Sequence, residues 1–422
     1  MKILYFLFAC SFFFFLSCEK DPNLPINRNL NLNTSTDMNV HENRNSSPSG
    51  HPSNQMIIRY KPFLTETERD LMRIEYGVQS YKNCTCADPT LELWIFSEDT
   101  SYGNGFNLEE KVITAGEDDD LEGADFNPII RHTGQYLHDS FGSESIGVAI
   151  EKMVTTNENV TIAILDTGVD YNYFGFSNPF LYNNIINEDR CMDQGFQDYF
   201  GWDFVNQDND PYDDYGHGTI VSSIIYNELT NSNVNFSILP IKTFDATGNG
   251  EYFDILCGFK YAVNKPNVDI VNMSFGWYNS GYDLLNTFIT EAQDDFIINT
   301  SAGNETLNTD YIDHTPSTFD SENIISVAAL SNNPLNIDLA WFSNYGTSTV
   351  DIAAKGENIQ FYLNSVDYIM AHGTSFSCAY TSAFSGKLYT NGMSTDAHIS
   401  AILNATIHHN NCLLYTSPSP RD

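Results

Sequence analysis

The sequence predicts an α/β protein on a mainly parallel sheet, with a small α+β domain ahead of it. Three observations predict this. Val160-Thr161-Ile162-Ala163-Ile164-Leu165 is a continuous apolar run of the kind buried on both faces of a parallel sheet, and Phe296-Ile297-Ile298-Asn299-Thr300-Ser301 is a second buried strand. Each runs into polar or glycine-rich chain at its carboxyl end, where α/β proteins build their sites. Glycine-led helix starts at Gly216-His217-Gly218-Thr219 and Gly373-Thr374-Ser375 leave room for βα units between the strands. Upstream, Met56–Tyr60, the helical spacing of Leu71, Ile74 and Val78, and Leu91–Phe96 read as strand, helix and strand.

The chain of 422 residues is long enough for a large core and an accessory domain. Its formal charge of −36 argues against nucleic acid as a partner and for a soluble, cation-binding surface. Acidity on this scale can mean disorder, but 14% aromatic residues and long apolar strands confine that reading to the linkers.

In chain order, Met1-Lys2 is followed by an apolar run from Ile3 to Leu16 and then Ser17-Cys18. That run is too short to span a membrane and reads as a signal peptide over 1–17. Phe15-Leu16-Ser17-Cys18 resembles a bacterial lipobox, which implies a lipid on Cys18 as the only membrane attachment. Glu19-Lys20-Asp21 resembles a surface-sorting tag. A plainly cleaved signal is the alternative, and either way the protein leaves the cytoplasm for the outer membrane, the cell surface or the medium. Residues 18–55 are rich in Asn, Ser and Pro and read as a flexible tether.

The β-α-β unit spans 56–97, with Thr65 and Glu68 at its helix start and Gly77 near the helix end. Cys84-Thr85-Cys86 is too tight for a metal knuckle and has no partner pair; a disulfide to another cysteine is open, with no pairing assigned. Residues 98–125 carry Glu117-Asp118-Asp119-Asp120 and read as a solvated acidic linker suited to cleavage.

The chemistry lies downstream. Asp166 ends the first buried strand and opens Asp166-Thr167-Gly168-Val169-Asp170. His217 lies between glycines at a helix start, and Asn304 closes Ala302-Gly303-Asn304. Ser375 opens a small-residue helix after Gly373-Thr374. Alone, each has an ordinary reading as a cap, turn or loop residue. Together, in the order Asp, His, Asn, Ser, they resemble the subtilisin-like serine proteases, the S8 peptidase family, over about 126–411.

That resemblance implies a three-layer α/β/α fold and a serine endopeptidase acting on proteins or peptides. Ser375 would be the nucleophile, His217 the general base, Asp166 its orienting partner and Asn304 a side-chain donor to the oxyanion. It implies substrate binding by strand addition, with Ser274, Phe275 and Gly276 on one side and Gly248 and Gly250 on the other. The 56–97 unit resembles an inhibitory propeptide, expected at the cleft edge and cut away between Ser97 and Phe126. No cofactor is required for the chemistry. A comparable loop in the family holds structural Ca²⁺, which makes Asp203, Asp208, Asp210, Asp213 and Asp214 candidate ligands; an unliganded acidic loop is the rival.

The sequence departs from the family at Ile220 and Ser222-Ser223, at Lys355, and at Phe376-Ser377-Cys378-Ala379, where Met-Ala-Ser-Pro is usual. Asn304-Glu305-Thr306 also matches a glycosylation sequon, which would block the site if used. Residues 412–422 read as a translated sequencing adapter and stand outside the fold reasoning, so the domain is expected to be truncated at its C-terminal end. A monomer is expected, and the rival function is a catalytically inactive surface-binding protein on the same fold.

Overall fold

The computed structural model describes residues 16–17, 54–97, 107–132, 152–155, 159–185, 191–193, 196–278, 283–332 and 338–408. The small N-terminal domain comprises β1 (Gln55–Tyr60), α1 (Glu66–Tyr76), β2 (Ser80–Cys84), β3 (Asp88–Ile95), α2 (Leu108–Gly116) and β4 (Leu121–Phe126). Helix α1 starts at the capping box between Thr65 and Glu68 and stops at Gly77, whose φ of 75° closes it in the left-handed region. The antiparallel sheet has the order β2-β3-β1-β4.

The period-two pattern divides this sheet between two cores. Met56, Ile58, Tyr60 and Trp94 pack with Met72 and Leu108 of the domain's own helices. Ile57, Leu91 and Leu93 join the core of the larger domain. The acidic stretch expected as a linker over 98–125 is therefore corrected for residues 107–125. Asn107 accepts from the amides of Glu109 and Glu110 and starts α2, and residues 121–126 form the strand that pairs with β1. The four acidic residues occupy only the turn between them. Leu108, Ala115 and Leu121 supply the apolar burial that the charge run concealed.

After β5 (Ile129–Arg131), the larger domain opens with β6 (Val160–Asp166), every residue of which is buried. It continues through β7 (Trp202–Asp203), α3 (His217–Asn231), β8 (Phe236–Lys242), β9 (Asn249–Glu251), α4 (Tyr252–Asn264) and β10 (Ile270–Met273). Then follow α5 (Asp283–Glu291), β11 (Ile297–Ser301), β12 (Ile324–Leu330), β13 (Ile352–Lys355), β14 (Ile359–Tyr362), β15 (Tyr368–Ala371), α6 (Thr374–Leu388) and α7 (Thr395–Ala405).

Seven strands form a parallel sheet in the order β7-β8-β6-β10-β11-β12-β13. One core packs α4, α5 and the N-terminal sheet against one face; the other packs α3, α6 and α7 against the opposite face. This is the expected three-layer α/β/α arrangement.

Of the leader expected over 1–17, only Leu16–Ser17 is described. It lies in the main sheet, antiparallel to Ile352–Ala353 and beside Ile407–His408, which corrects the expectation that the segment stands wholly outside the fold. The outer edge of β13 offers unpaired backbone groups, and these two residues satisfy some of them. Cys18, the 18–53 part of the tether and the 412–422 tail lie outside the described residues. Among the described residues no helix is long and apolar enough to cross a membrane.

Candidate active site

The carboxyl ends of β6, β10 and β11 and the N-termini of α3 and α6 converge on one cleft. Asp166 is the last residue of β6 and is fully buried. Its carboxylate accepts the Thr167 amide at 2.7 Å and faces His217 Nδ1 at 2.7 and 2.9 Å. Burial would raise the Asp166 pKa, but the neighbouring histidines and these hydrogen bonds outweigh it and hold the group below its ordinary value.

His217 is the first residue of α3. Gly216 supplies no cap, so Asp213 does: its carboxylate accepts from the amides of Tyr215, Gly216 and Thr219 and from the Thr219 hydroxyl. Gly218 is required beside the histidine, because a Cβ there would lie 2.1 Å from the Gly168 carbonyl. That close approach sets the start of α3 against the end of β6.

Ser375 stands at the start of α6, which is fixed to the sheet by an uncharged network. The Ser375 hydroxyl donates to the Ser274 carbonyl at 2.9 Å, and the Ser274 hydroxyl donates to the Ser375 carbonyl at 3.0 Å. Asn272 joins Ser274 and Ser382, while the Cys378 thiol donates to the Asn299 carbonyl. Cys378 and Ala379 are fully buried, so the departure from Met-Ala-Ser-Pro packs against the strands. Phe376 lies beside His217, ring centroids 5.8 Å apart. Asn304 follows Gly303, whose φ of 103° makes the turn out of β11. The Asn304 side-chain oxygen accepts the Thr374 amide at 2.8 Å and its hydroxyl at 3.0 Å, orienting Nδ2 away from Thr374.

Ser375, Asn304 and the Ser274–Gly276 turn line a cavity of about 550 Å³ together with the protein's own residues 129–132. Strand β5 pairs antiparallel with β9: Arg131 lies opposite Asn249 and Ile130 opposite Gly250. The His132 amide donates to the Gly248 carbonyl at 2.9 Å. The His132 imidazole lies over His217 and against Phe244, with ring centroids 4.2 Å apart in both cases, and 3.7 Å from Asp166. Burial, then the nearby His217, push its pKa down to about 3.

Ser375, Asn304 and Ser274–Gly276 thus line one cavity, the Asp166–His217 pair lies behind His132, which lines the same cavity, and Gly248–Gly250 pairs with the strand that fills it. The expected cleft occupant is corrected: residues 129–132 lie in it, downstream of the anticipated cut between Ser97 and Phe126. The Ile129-Ile130 pair after Pro128 was the only sequence signal for this strand. Lys242 was also missed. It is buried, and its ammonium donates to the carbonyls of Thr167 and Phe244 and to Asp214.

The five candidate calcium ligands take separate partners. Asp203 accepts from the amides of Val205 and Asn206, Asp208 from that of Asp210, and Asp210 from the Tyr171 hydroxyl. Asp213 caps α3, and Asp214 takes the Lys242 ammonium. Among the described residues, the one group of three or more acidic, His or Cys side chains with mutually close ligand atoms is His132, Asp166 and His217.

Two disulfides answer the cysteine question left open by the sequence. Cys84 pairs with Cys257 and Cys86 with Cys191, at Cα separations of 5.5 and 5.2 Å. Both run from the N-terminal domain to the larger domain.

The family model described as the Subtilase family matches residues 157–416. The chain is 30% identical over 237 residues to the thermophilic serine proteinase of Bacillus sp. (strain AK1), covering 55% of this chain and 52% of that protein. It is 30% identical over 197 residues to the cell wall-associated protease of Bacillus subtilis (strain 168), covering 45% and 21%. A solved cold-adapted subtilisin-like serine proteinase aligns over 65% of this chain and 86% of that one, with TM-score 0.45 and 21% identity. The chain spans about half the length of the first of these curated relatives and a fifth of the second. With more than half of its residues inside the family model, the chain belongs to the subtilase family.

Proposed function

We propose that the protein is a serine endopeptidase cleaving protein or peptide substrates held as an added strand in this cleft. The observation that carries the proposal is the short, buried Asp166–His217 pair packed against His132, whose docked strand lines one cavity with Ser375 and Asn304. A substrate strand paired with β9 brings its backbone past His217 to Ser375, the geometry of recognition by strand addition. The Ser375 oxygen attacks the scissile carbonyl while His217 takes its proton, and Asp166 holds the imidazole tautomer and stabilises its cationic form. Asn304 Nδ2 and the Ser375 amide donate to the oxyanion. His217 then returns the proton to the leaving amine, and water repeats the sequence on the acyl-enzyme.

In the structure the Ser375 hydroxyl rests on the Ser274 carbonyl and the cleft is filled by β5 and His132. This state fits a precursor in which residues 55–132 act as the protein's own propeptide, with cleavage beyond His132. The rival, an inactive binding protein, is disfavoured by the presence of all four chemical groups. Reaction of the cleaved and dithiothreitol-reduced protein with a fluorophosphonate probe tests the choice: labelling lost in Ser375→Ala supports the enzyme, and no labelling of the reduced parent sequence supports the binding protein. We further propose export with lipidation at Cys18; mass spectrometry of the mature N-terminus tests that reading, and an unmodified Cys18 would remove it.

A further inference from the structure

The N-terminal domain is joined to the catalytic domain by more than the backbone. Cys84 at the end of β2 is bonded to Cys257 within α4, and Cys86 in the following turn to Cys191. The bridged residues are 173 and 105 positions apart, and both bridges span the stretch after His132 where a cut would separate the domains. Cys84 and Cys257 are buried in the core shared by the two domains. Around them, Arg59 forms a two-point ion pair with Glu291, and Lys82 donates to Asp254 at 2.8 Å.

We propose that these two disulfides make the N-terminal domain a permanent, tethered occupant of the catalytic domain, so that a backbone cut beyond His132 frees the chain end but not the domain. The inference rests on the protease reading only for its effect on turnover; the linkage itself does not. With the domain stapled in place, the cut strand 129–132 stays close to β9 at an effective concentration on the order of millimolar. Dilution cannot remove it, and it competes with every incoming substrate strand. Release requires a dithiol. Each bridge undergoes thiolate attack through a mixed disulfide, ending as two protein thiols and one oxidised dithiol, so two equivalents open both bridges. Outside the cytoplasm, where such bonds persist, the domain remains attached by default.

The linkage is tested without relying on the chemistry of Ser375. A recognition sequence for a site-specific protease is inserted between His132 and Val154 of the full-length Ser375→Ala protein, and the cut product is denatured in detergent. One band of the uncut mass without reductant and two bands with dithiothreitol are expected. Two bands without reductant would overturn the proposal. The Cys84→Ala/Cys86→Ala variant should give two bands in both lanes, and a single unreduced band there would equally refute these pairings.

The regulatory consequence is read on the same insertion in the protein retaining Ser375. Hydrolysis of a fluorogenic peptide by the cut enzyme should be unaffected by hundredfold dilution, after normalising to enzyme, and rise at least tenfold with dithiothreitol. A rate indifferent to dithiothreitol would refute the tethered block. No hydrolysis in any form would count against the protease reading and leave the gel result standing by itself.

Discussion

Acid pH acts on a single side chain of the strand in the cleft. His132 is 2% exposed at its side chain, packed between His217 and Phe244 and near Tyr215, and its Nε2 is buried without a hydrogen-bond partner. Burial first, then His217, holds its pKa at about 3, with Asp166 pulling the other way. A released strand would titrate near the ordinary histidine value of about 6.5. The docked form therefore refuses a proton that the released form takes up. Docking is complete above pH ~6.5 and is lost progressively as the pH falls from there towards 3. At pH 5 the released imidazole is protonated by about 30 to 1 while the docked one stays neutral, so docking weakens about 30-fold, or about 2 kcal/mol.

Hydrogen exchange reads this directly, because the His132 amide is bonded to the Gly248 carbonyl only while the strand is docked. In the Ser375→Ala protein, protection of that amide, corrected for intrinsic exchange, should fall about 30-fold between pH 8 and pH 5. The comparison is with His132→Phe, whose protection should change far less. Equal loss in both proteins, or full protection of His132 at pH 5, would refute the reasoning.

Three other expectations concern single contacts. Asn304→Ala should lower kcat on a peptide substrate by about 10²–10³ with little change in KM, the magnitude known for the same donor in subtilisin; an unchanged kcat would remove Asn304 from the oxyanion site. Lys242→Met leaves the carbonyls of Thr167 and Phe244 without their buried donor, at about 1–3 kcal/mol each. Urea unfolding should show that loss, and a cost below 0.5 kcal/mol would argue that water replaces the ammonium. Asp125→Ala removes the side chain that accepts the Leu284 amide at the start of α5. It should cost about 1 kcal/mol in the same measurement, and a neutral result would show that α5 needs no cap from the N-terminal domain.

The strand ends and helix starts that carry the candidate site were more legible in the sequence than the domain boundary, and the reason is physical. Asp166, His217, Asn304 and Ser375 each lie at a strand end or helix start, positions that leave local marks: an apolar run before, a glycine beside, a small-residue helix after. The five aspartates before His217 looked like one feature and are five. Their roles are set by Tyr171, Thr219 and Lys242, contributed from elsewhere in the chain, and by backbone amides whose direction composition does not encode. The acidic run at 117–120 likewise hid a helix and a strand, because four charged turn residues outweigh Leu108, Ala115 and Leu121 in any local reading.

The same non-locality explains why the N-terminal domain is hard to divide from the larger one. Helix α4 has no side-chain cap of its own at Glu251; the Asn127 side chain accepts the Phe253 amide at 3.0 Å instead. Asp125 does the corresponding work for α5. Two residues on, Ile129–Arg131 leave these caps and enter the cleft against β9. Within seven residues, then, the chain completes two helices of the larger domain and fills its cleft. A cut beyond His132 leaves both caps with the N-terminal fragment. Losing that fragment would expose the amide ends of α4 and α5 at about 1 kcal/mol each, besides the apolar surface of Ile57, Leu91 and Leu93. The disulfides to Cys257, itself on α4, and to Cys191 hold the contributing domain against the helices it completes. Retention of the domain is thus favoured both by the disulfides and by the contacts that complete these helices.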